Sequence, residues 1–229
     1  MTAIWDGLIK AVQLIVSLDP EVIEIAGRSL AIAATSCLIA TALCIPLGGL
    51  IHFNTFTGKR ALISIIQTLY SVPTVVVGLL VFLLFSRAGP LGEMGLLFTP
   101  TVMVIGQAVL ITPILIGLTI SALSGIDKAV AETATALGAD RVQSSLLVMR
   151  EARFGMLTAI VMGFGRAISE VGLAMMVGGN IRGFTRVLTT AIALETSKGD
   201  IELSIALGII LITVALIINI ALNRLQQRK

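Results

Sequence analysis

Long apolar stretches recur along this chain of 229 residues, and they restrict its fold more than any other feature. Windows of eighteen or more apolar residues are long enough to cross about 30 Å of hydrocarbon as helices. Because a backbone in lipid must satisfy its own hydrogen bonds, each stretch predicts a helix. The composition agrees, since 56% of the residues are hydrophobic and only 13% are charged, against about 25% charged in soluble domains. The sequence therefore predicts an all-α membrane protein.

Five stretches have the length and polarity of a membrane span. They cover approximately residues 28–51, 61–85, 97–123, 156–177 and 201–222. Proline lies within the first three, as Pro46, Pro73 and Pro113. Since proline removes a backbone donor, these positions predict breaks or bends in the helices. The region 178–200, between the last two spans, is predicted to be a loop.

The N-terminal segment, residues 1–20, is predicted to be an amphipathic helix on the membrane surface. Its apolar residues Ile4, Leu8 and Val12 fall near helical spacing, and Asp6 interrupts the apolar run. A short helix with one polar face favours the interface over the hydrocarbon. A sixth span is the alternative. The predicted organisation is this segment, a transmembrane domain over 21–223 and a tail over 224–229.

The basic residues lie at the ends of spans and not in a patch, which favours topology signals over a nucleic-acid site. With the polar segment 124–153 placed inside, nine basic residues fall in inside segments and six in outside segments. An excess of lysine and arginine marks the cytoplasmic side. The chain is therefore predicted to have its N-terminus outside and its C-terminus in the cytoplasm.

The polar segment 124–153 carries eight charged residues in thirty positions. Ser124 with Asp127 three positions later approximates a capping box and predicts the start of a helix. Gly138 predicts its end, and Asp140 with Gln143 predicts a second start. The second helix has a predicted apolar face, formed by Val142, Leu146 and Met149. On periodicity alone, an ordinary loop helix on the bilayer surface is an equal alternative.

Arg166 and Glu170 are a charged pair inside the fourth span. Four positions apart on a helix, they would share a face. Arg166 lies roughly 15 Å along the span, near the membrane midplane. A charge at that depth costs about 2.5 to 3.5 kcal/mol on insertion scales. The two side chains are therefore expected to pair or to face the bundle interior. They would either lock the helix or line an anion path.

Several chemistries are not indicated by the sequence. His52 is the only histidine, and Cys37 and Cys44 lie in one apolar span as expected of small packing residues. The phosphate-binding pattern G-x-x-x-x-G-K-[ST] does not occur. The chain is therefore predicted not to be an enzyme by itself, and to hold neither a metal nor a cofactor.

The centre of the polar segment resembles the EAA motif of membrane subunits of binding-protein-dependent ABC importers. Glu132-Thr133-Ala134 is followed by Gly138 six positions after the glutamate and by Val148 ten positions after the glycine. Thr133 replaces an alanine, and Arg150-Glu151 stands where Leu-Pro is usual. The resemblance implies a cytoplasmic coupling helix that docks on a separate ATPase subunit. The coupling residues that it implies are Glu132, Ala134, Gly138, Ala139 and Asp140.

A second resemblance is to the oxyanion permeases, especially those for tungstate and molybdate. It rests on the stretches 71–79, 165–172, 175–180 and 194–200. The resemblance implies a permease subunit for an oxyanion, with tungstate as the expected anion, in a prokaryotic cell membrane. The implied partners are an ATPase that binds ATP and Mg, an extracytoplasmic binding protein and a second copy of the chain. The candidate path residues are Arg166, Ser169, Glu170 and Asn180.

Two other functions fit the composition. A stand-alone secondary transporter or channel would need further ionisable residues at the midplane, and often shows an internal repeat, which we do not find. A non-transporting membrane scaffold is the third possibility. Polar residues at membrane depth, such as Gln107 and Thr112, are more often helix–helix hydrogen bonds than substrate contacts.

Overall fold

The computed structural model describes the backbone of residues 2–227, with side chains from Ile4 to Ala221 and Arg224. Over this range the regular structure is helical. The helices are α1 (Thr2–Val16), α2 (Pro20–Phe53), α3 (Lys59–Thr68), α4 (Thr74–Phe85), α5 (Pro100–Ser124), α6 (Lys128–Ala136), α7 (Arg141–Glu151), α8 (Arg153–Ile168), α9 (Gly172–Gly178), α10 (Leu188–Lys198) and α11 (Ile201–Gln227). Because α11 continues into the predicted tail, that tail is helical as far as residue 227, and residues 228–229 lie outside the described residues.

Three helices are long and apolar enough to cross a membrane without interruption, namely α2, α5 and α11. Two further crossings are built from bent pairs. The pair of α3 and α4 is bent by 98°, and the pair of α8 and α9 by 59°. If each pair crosses once, the total is five, as the apolar stretches predict. The second and fourth spans are thus broken and not single helices.

Only one of the three span prolines lies at a break. Pro46 and Pro113 lie inside the continuous helices α2 and α5, so these two prolines do not break their helices. A membrane helix tolerates the loss of one hydrogen bond where its neighbours satisfy the freed carbonyl. Pro73 instead precedes α4, with Val72 before it in an extended conformation. Proline excludes the helical region for the preceding residue, which explains this break.

The core is centred on α5, which packs between α2 and α8. Small residues of α2, including Cys37 and Cys44, are buried against Ile111 and Leu115 of α5. The two cysteines thus pack as the sequence predicts. Ser36 of α2 donates a hydrogen bond to Gln107 of α5 at 3.2 Å. Gln107 therefore forms the predicted helix–helix contact, and α5 fills the centre of the bundle.

The helix α1 lies along α11. Gly7 is buried where a Cβ would lie 2.6 Å from Ile205, and Lys10 lies 3.9 Å from Asp200. With fifteen residues, α1 is about 22 Å long, which is too short to cross the hydrocarbon alone. Its predicted apolar residues, including Ile4 and Val12, are exposed. They form an apolar stripe facing away from α11.

The region between the fourth and fifth spans is more than a loop, which corrects the sequence-based expectation. Residues Leu188–Lys198 form α10, in which Leu188 and Thr190 are fully buried. The Leu188 backbone N–H donates to the Ser29 hydroxyl of α2 at 2.8 Å. The apolar run in α10 is too short to be read as a span, so a search for spans passes over it. In the fold, α10 covers α2 and α11.

The close contact between α2 and α5 predicts a strong dependence on Gly48. A Cβ at this position would lie 2.9 Å from the Thr119 Cβ and 3.2 Å from the Ile116 carbonyl oxygen. We expect Gly48→Leu to destabilise the protein by about 1 to 3 kcal/mol through overpacking. The measurement is the midpoint of thermal unfolding in detergent. Gly27→Leu, in open space on the same helix, is the matched control, and equal midpoints for the two variants would contradict this packing.

Candidate functional site

The polar segment 124–153 forms α6 and α7, joined by a short turn, and we call it the coupling segment. Its first helix begins later than predicted. Ser124 is the last residue of α5, and its hydroxyl donates to the Ile120 carbonyl at 2.8 Å. This local bond keeps Ser124 in the α5 helix. Asp127 caps α6 instead, accepting the Ala129 N–H at 2.9 Å.

The turn between α6 and α7 has the predicted chemistry. Gly138 adopts φ +90°, a left-handed conformation that favours glycine. The Ala139 N–H donates to the Ala134 carbonyl at 3.0 Å, which closes the end of α6. Asp140 and Gln143 form a reciprocal capping box, with bonds of 2.8 and 3.0 Å. The relative direction of the two helices is therefore fixed by backbone bonds and one capping pair.

The coupling segment presents both apolar and acidic groups on its surface. Glu132 is exposed, whereas Ala134 beside it is buried. The predicted apolar face of α7 is divided, because Met149 packs beside the buried Val148. Three large apolar side chains of the segment are more than half exposed, namely Leu137, Val142 and Leu146. Contiguous exposed apolar groups rimmed by polar ones are typical of a protein interaction surface.

The charged pair of the fourth span lies at the break between α8 and α9. The helix α8 ends at Ile168, so Glu170 lies beyond the helix and not on a shared helical face, which corrects the expectation. The Glu170 side chain is 2% exposed, and its Oε1 accepts the Leu173 N–H at 2.9 Å. Glu170 thus provides a hydrogen-bond acceptor for a backbone N–H in the first turn of α9. Its Oε2 lies 3.9 Å from Arg166 Nη2, so the ion pair remains.

Arg166 is the accessible member of the pair. Its side chain is 37% exposed, and within the described residues the guanidinium makes the Glu170 contact and no side-chain hydrogen bond. Ser169 is also exposed beside it, and its hydroxyl donates to the Gly165 carbonyl at 2.9 Å. The break therefore buries the negative charge and leaves the positive charge open. Such a surface attracts anions.

The two broken spans meet at their breaks. A Cβ on Gly172 would lie 2.9 Å from Val75, and a Cβ on Gly78 would lie 3.0 Å from the Leu173 Cα. The first turns of α4 and α9 are therefore packed side by side. The N-terminus of a helix carries partial positive charge, so the start of α4 adds to the potential on this side of the bundle.

A third element braces the break, and the sequence does not reveal it. The Thr189 hydroxyl of α10 donates to the Glu170 carbonyl at 2.7 Å. This bond satisfies a backbone group that the end of α8 leaves free. The sequence signal is weak, because two threonines in a short apolar run also suit a loop. The helix α10 therefore positions Glu170 from outside the fourth span.

Asn180 is not part of this group. It follows α9, with φ +49°, and its Oδ1 is buried with no partner among the described residues. The seven residues of α9 separate it from the break by about 10 Å. The structure thus brings Arg166, Ser169 and Glu170 together and places Asn180 at the opposite end of α9.

A second charged cluster lies at the far end of α2 from the coupling segment. Arg182 donates two hydrogen bonds to Glu21, at 2.9 and 2.6 Å, and Arg186 lies 3.7 Å from the same carboxylate. Hydrogen bonding to Glu21 raises the pKa of Arg182 above its ordinary value. These residues line a cavity of about 470 Å³ between α2, α10 and α11. From the sequence alone, these arginines are interpreted only as topology signals.

Comparisons with known proteins agree over nearly the whole chain. Residues 44–229 match the family described as binding-protein-dependent transport system inner membrane component. The chain is 42% identical to the tungstate uptake system permease protein TupB of Peptoclostridium acidaminophilum, over 99% of this chain and 100% of that protein. It is 37% identical to TupB of Campylobacter jejuni, over 98% and 94%.

A solved structure shows the same fold. The inward-facing MetNI methionine ABC transporter superposes with a TM-score of 0.75 at 16% identity, covering 92% of this chain and 97% of that chain. At this identity the likeness concerns the fold alone.

The cap at the break predicts graded losses of stability on substitution of Glu170. Glu170→Gln keeps an oxygen that can accept the Leu173 N–H, whereas Glu170→Ala leaves that buried donor without a partner, at about 1 to 3 kcal/mol. We expect the thermal midpoint in detergent to fall further for Glu170→Ala than for Glu170→Gln. Glu93→Ala, at an exposed carboxylate, is the control. An unchanged midpoint for Glu170→Ala would contradict the capping role.

Proposed function

The chain belongs to the family of binding-protein-dependent transport system inner membrane components, and from this premise we propose that it is the permease subunit of a tungstate ABC importer. The observation that carries the proposal is the end-to-end similarity to the TupB permease of Peptoclostridium acidaminophilum, 42% over 227 residues. The chain is a multi-pass membrane protein, with three continuous apolar helices and two bent pairs. Similarity over the full length supports a shared substrate class better than a shared fold alone.

The coupling segment is the proposed dock for the ATPase. Glu132, Gly138, Ala139 and Asp140 surround its turn, with Ala134 packed beneath them, and the exposed apolar groups of α7 extend the surface. The capping box and the Gly138 turn fix α6 and α7 relative to each other, so the two helices would move together when the ATPase moves. ATP and Mg belong to the partner ATPase in this proposal, and the chain itself is not catalytic. The N-terminus lies outside and the coupling segment faces the cytoplasm.

A second copy of the chain completes the proposed pathway. Because α5 fills the centre of the bundle, a single copy has its core occupied by side chains. The path is therefore proposed to run between two copies. The extracytoplasmic binding protein would deliver tungstate at the opposite end, where Glu21, Arg182 and Arg186 lie. Closure of two ATPase subunits would then switch the bundle between its two access states.

Arg166 is the proposed contact for the oxyanion in the path. A guanidinium offers paired N–H donors that match the spacing of oxyanion oxygens. The Glu170 side chain is buried against the first turn of α9, so it compensates the charge of Arg166 without facing the proposed path. Ser169 supplies an exposed hydroxyl beside Arg166, and Asn180 would meet the anion further along α9. Glu170 is thus a positioning residue, and Arg166 the binding residue.

The proposed function is tested by reconstitution. The chain is combined in liposomes with candidate ATPase and binding proteins from the same organism, and tungstate uptake is measured. We expect uptake only when ATP, Mg and the ATPase are present together. Uptake by the chain alone, without ATP, would contradict the proposal and favour an ion-coupled transporter.

The path assignment predicts that Arg166→Ala reduces uptake strongly. Loss of a charge-assisted hydrogen bond to the anion corresponds to about tenfold or more in rate. Arg166→Lys keeps the charge but not the paired donors, so it should retain part of the activity. Arg60→Ala removes an exposed basic residue of α3 and serves as the control. Wild-type uptake by a normally inserted Arg166→Ala variant would remove Arg166 from the path.

The docking assignment predicts loss of ATPase association when the turn or its acidic neighbour is changed. Gly138→Asp places a side chain at φ +90°, and Glu132→Lys reverses an exposed charge. We expect both variants to co-elute poorly with the ATPase in size-exclusion chromatography. Gly58→Asp introduces the same backbone strain at another glycine with φ +90°, and it should still co-elute. Equal association for all three variants would contradict the dock.

A further inference from the structure

The carboxyl end of α2 is held by cations from two other elements. Lys59, at the start of α3, donates to the His52 and Asn54 carbonyls at 2.6 and 3.1 Å. Arg141, at the start of α7, donates to the Phe53 carbonyl at 3.4 Å. The last carbonyls of a helix have no partner within the helix and carry partial negative charge. Basic side chains are therefore the natural partners for this end of α2.

Apolar contacts join the same two elements. The Phe53 side chain packs against the small core that contains Val148, together with Met149. Met149 also lies against Gly49, where a Cβ would be 3.5 Å from its sulfur. The Ser124 hydroxyl, at the end of α5, lies 3.4 Å from His52 Nδ1. The end of α2 thus contacts α3, α5 and the coupling segment at one place.

This junction is only partly filled. A cavity of about 380 Å³ separates α2 from the turn of the coupling segment, and its lining includes Phe53, Ala139, Arg141 and Ser144. Arg141 is exposed, so its hydrogen bond to the Phe53 carbonyl is open to solvent. A polar contact beside an open cavity can be strained or remade without disrupting a packed core. The junction therefore suits a moving connection.

The covalent layout explains why such a connection is needed. The chain runs from α5 into α6, and from α7 into α8, so movement of the coupling segment reaches these two spans directly. Neither α2 nor the pair of α3 and α4 is joined to the coupling segment through a short turn. Among the described side chains, Arg141 donates the hydrogen bond from α7 to α2, and the Ser124 hydroxyl at the end of α5 makes a second contact with His52. Lys59, at the start of the second span, donates to the His52 and Asn54 carbonyls on either side of Phe53.

We infer that Arg141 and Phe53 transmit movement of the coupling segment to α2, and that Lys59 extends it to the second span. The inference rests on the proposed function, because the movement originates in the docked ATPase. Arg141 acts as a positioning residue, which neither contacts the transported anion nor holds the ATPase. Without this junction, ATP hydrolysis would continue while the first two spans failed to follow.

The test measures uptake and ATP hydrolysis in the same vesicles, using the complete complex. We expect Arg141→Ala and Phe53→Ala to lower the tungstate transported per ATP hydrolysed by about threefold or more, with unchanged co-elution of the ATPase. Arg141→Lys keeps a cation for the Phe53 carbonyl and should restore the ratio, and Arg60→Ala should leave it unchanged. A wild-type ratio in both alanine variants overturns the inference. Lost co-elution of Arg141→Ala also overturns it, because Arg141 would then belong to the dock.

A second readout needs no transported substrate, so it separates this inference from the proposed function. Spin labels are placed at Ala42 of α2 and Met162 of α8, both exposed, and their separation is measured with and without ATP. We expect ATP to change this distance in the wild-type complex and to change it less in Arg141→Ala. An equal change in both overturns the inference. Failure of the wild type to transport tungstate, with this distance response intact, contradicts only the proposed substrate.

Discussion

A helix broken inside a membrane is stable only if the backbone groups freed at the break find partners, and Glu170 provides them for the fourth span. Its carboxylate accepts the Leu173 N–H, and its carbonyl accepts the Thr189 hydroxyl. In hydrocarbon each unsatisfied group would cost several kcal/mol. These two bonds tie the break to the first turn of α9 and to α10. The same bonds bury the negative charge and leave Arg166 open.

The two ends of α2 are held by different kinds of contact. At one end, Glu21 and two arginines form an ionic cluster around a cavity. At the other end, basic side chains hold the helix carbonyls against the coupling segment. A helix of 34 residues is about 51 Å long, so it connects the two surfaces.

Local chemistry explains which features the sequence could predict. The capping box of Asp140 and the left-handed Gly138 depend on a few neighbouring residues, and both predictions were confirmed. The predicted helix start at Ser124 was wrong. A serine hydroxyl can cap the start of a helix, but it can also donate to a carbonyl one turn earlier, as Ser124 does to Ile120 at the end of α5. The position of Glu170 beyond α8 could not be predicted, since it depends on α10 and α4. The contact of Arg141 with Phe53 joins residues 88 positions apart, which periodicity does not record.

The central claim is that this bundle passes tungstate when its coupling segment is moved by an ATPase. The most direct measurement compares the accumulation of tungstate and sulfate, at equal concentration, in vesicles containing the complete complex and ATP. We expect tungstate to accumulate far above sulfate, and we expect accumulation to stop when ATP is withheld. Equal accumulation of both anions, or tungstate accumulation that persists without ATP, would contradict it.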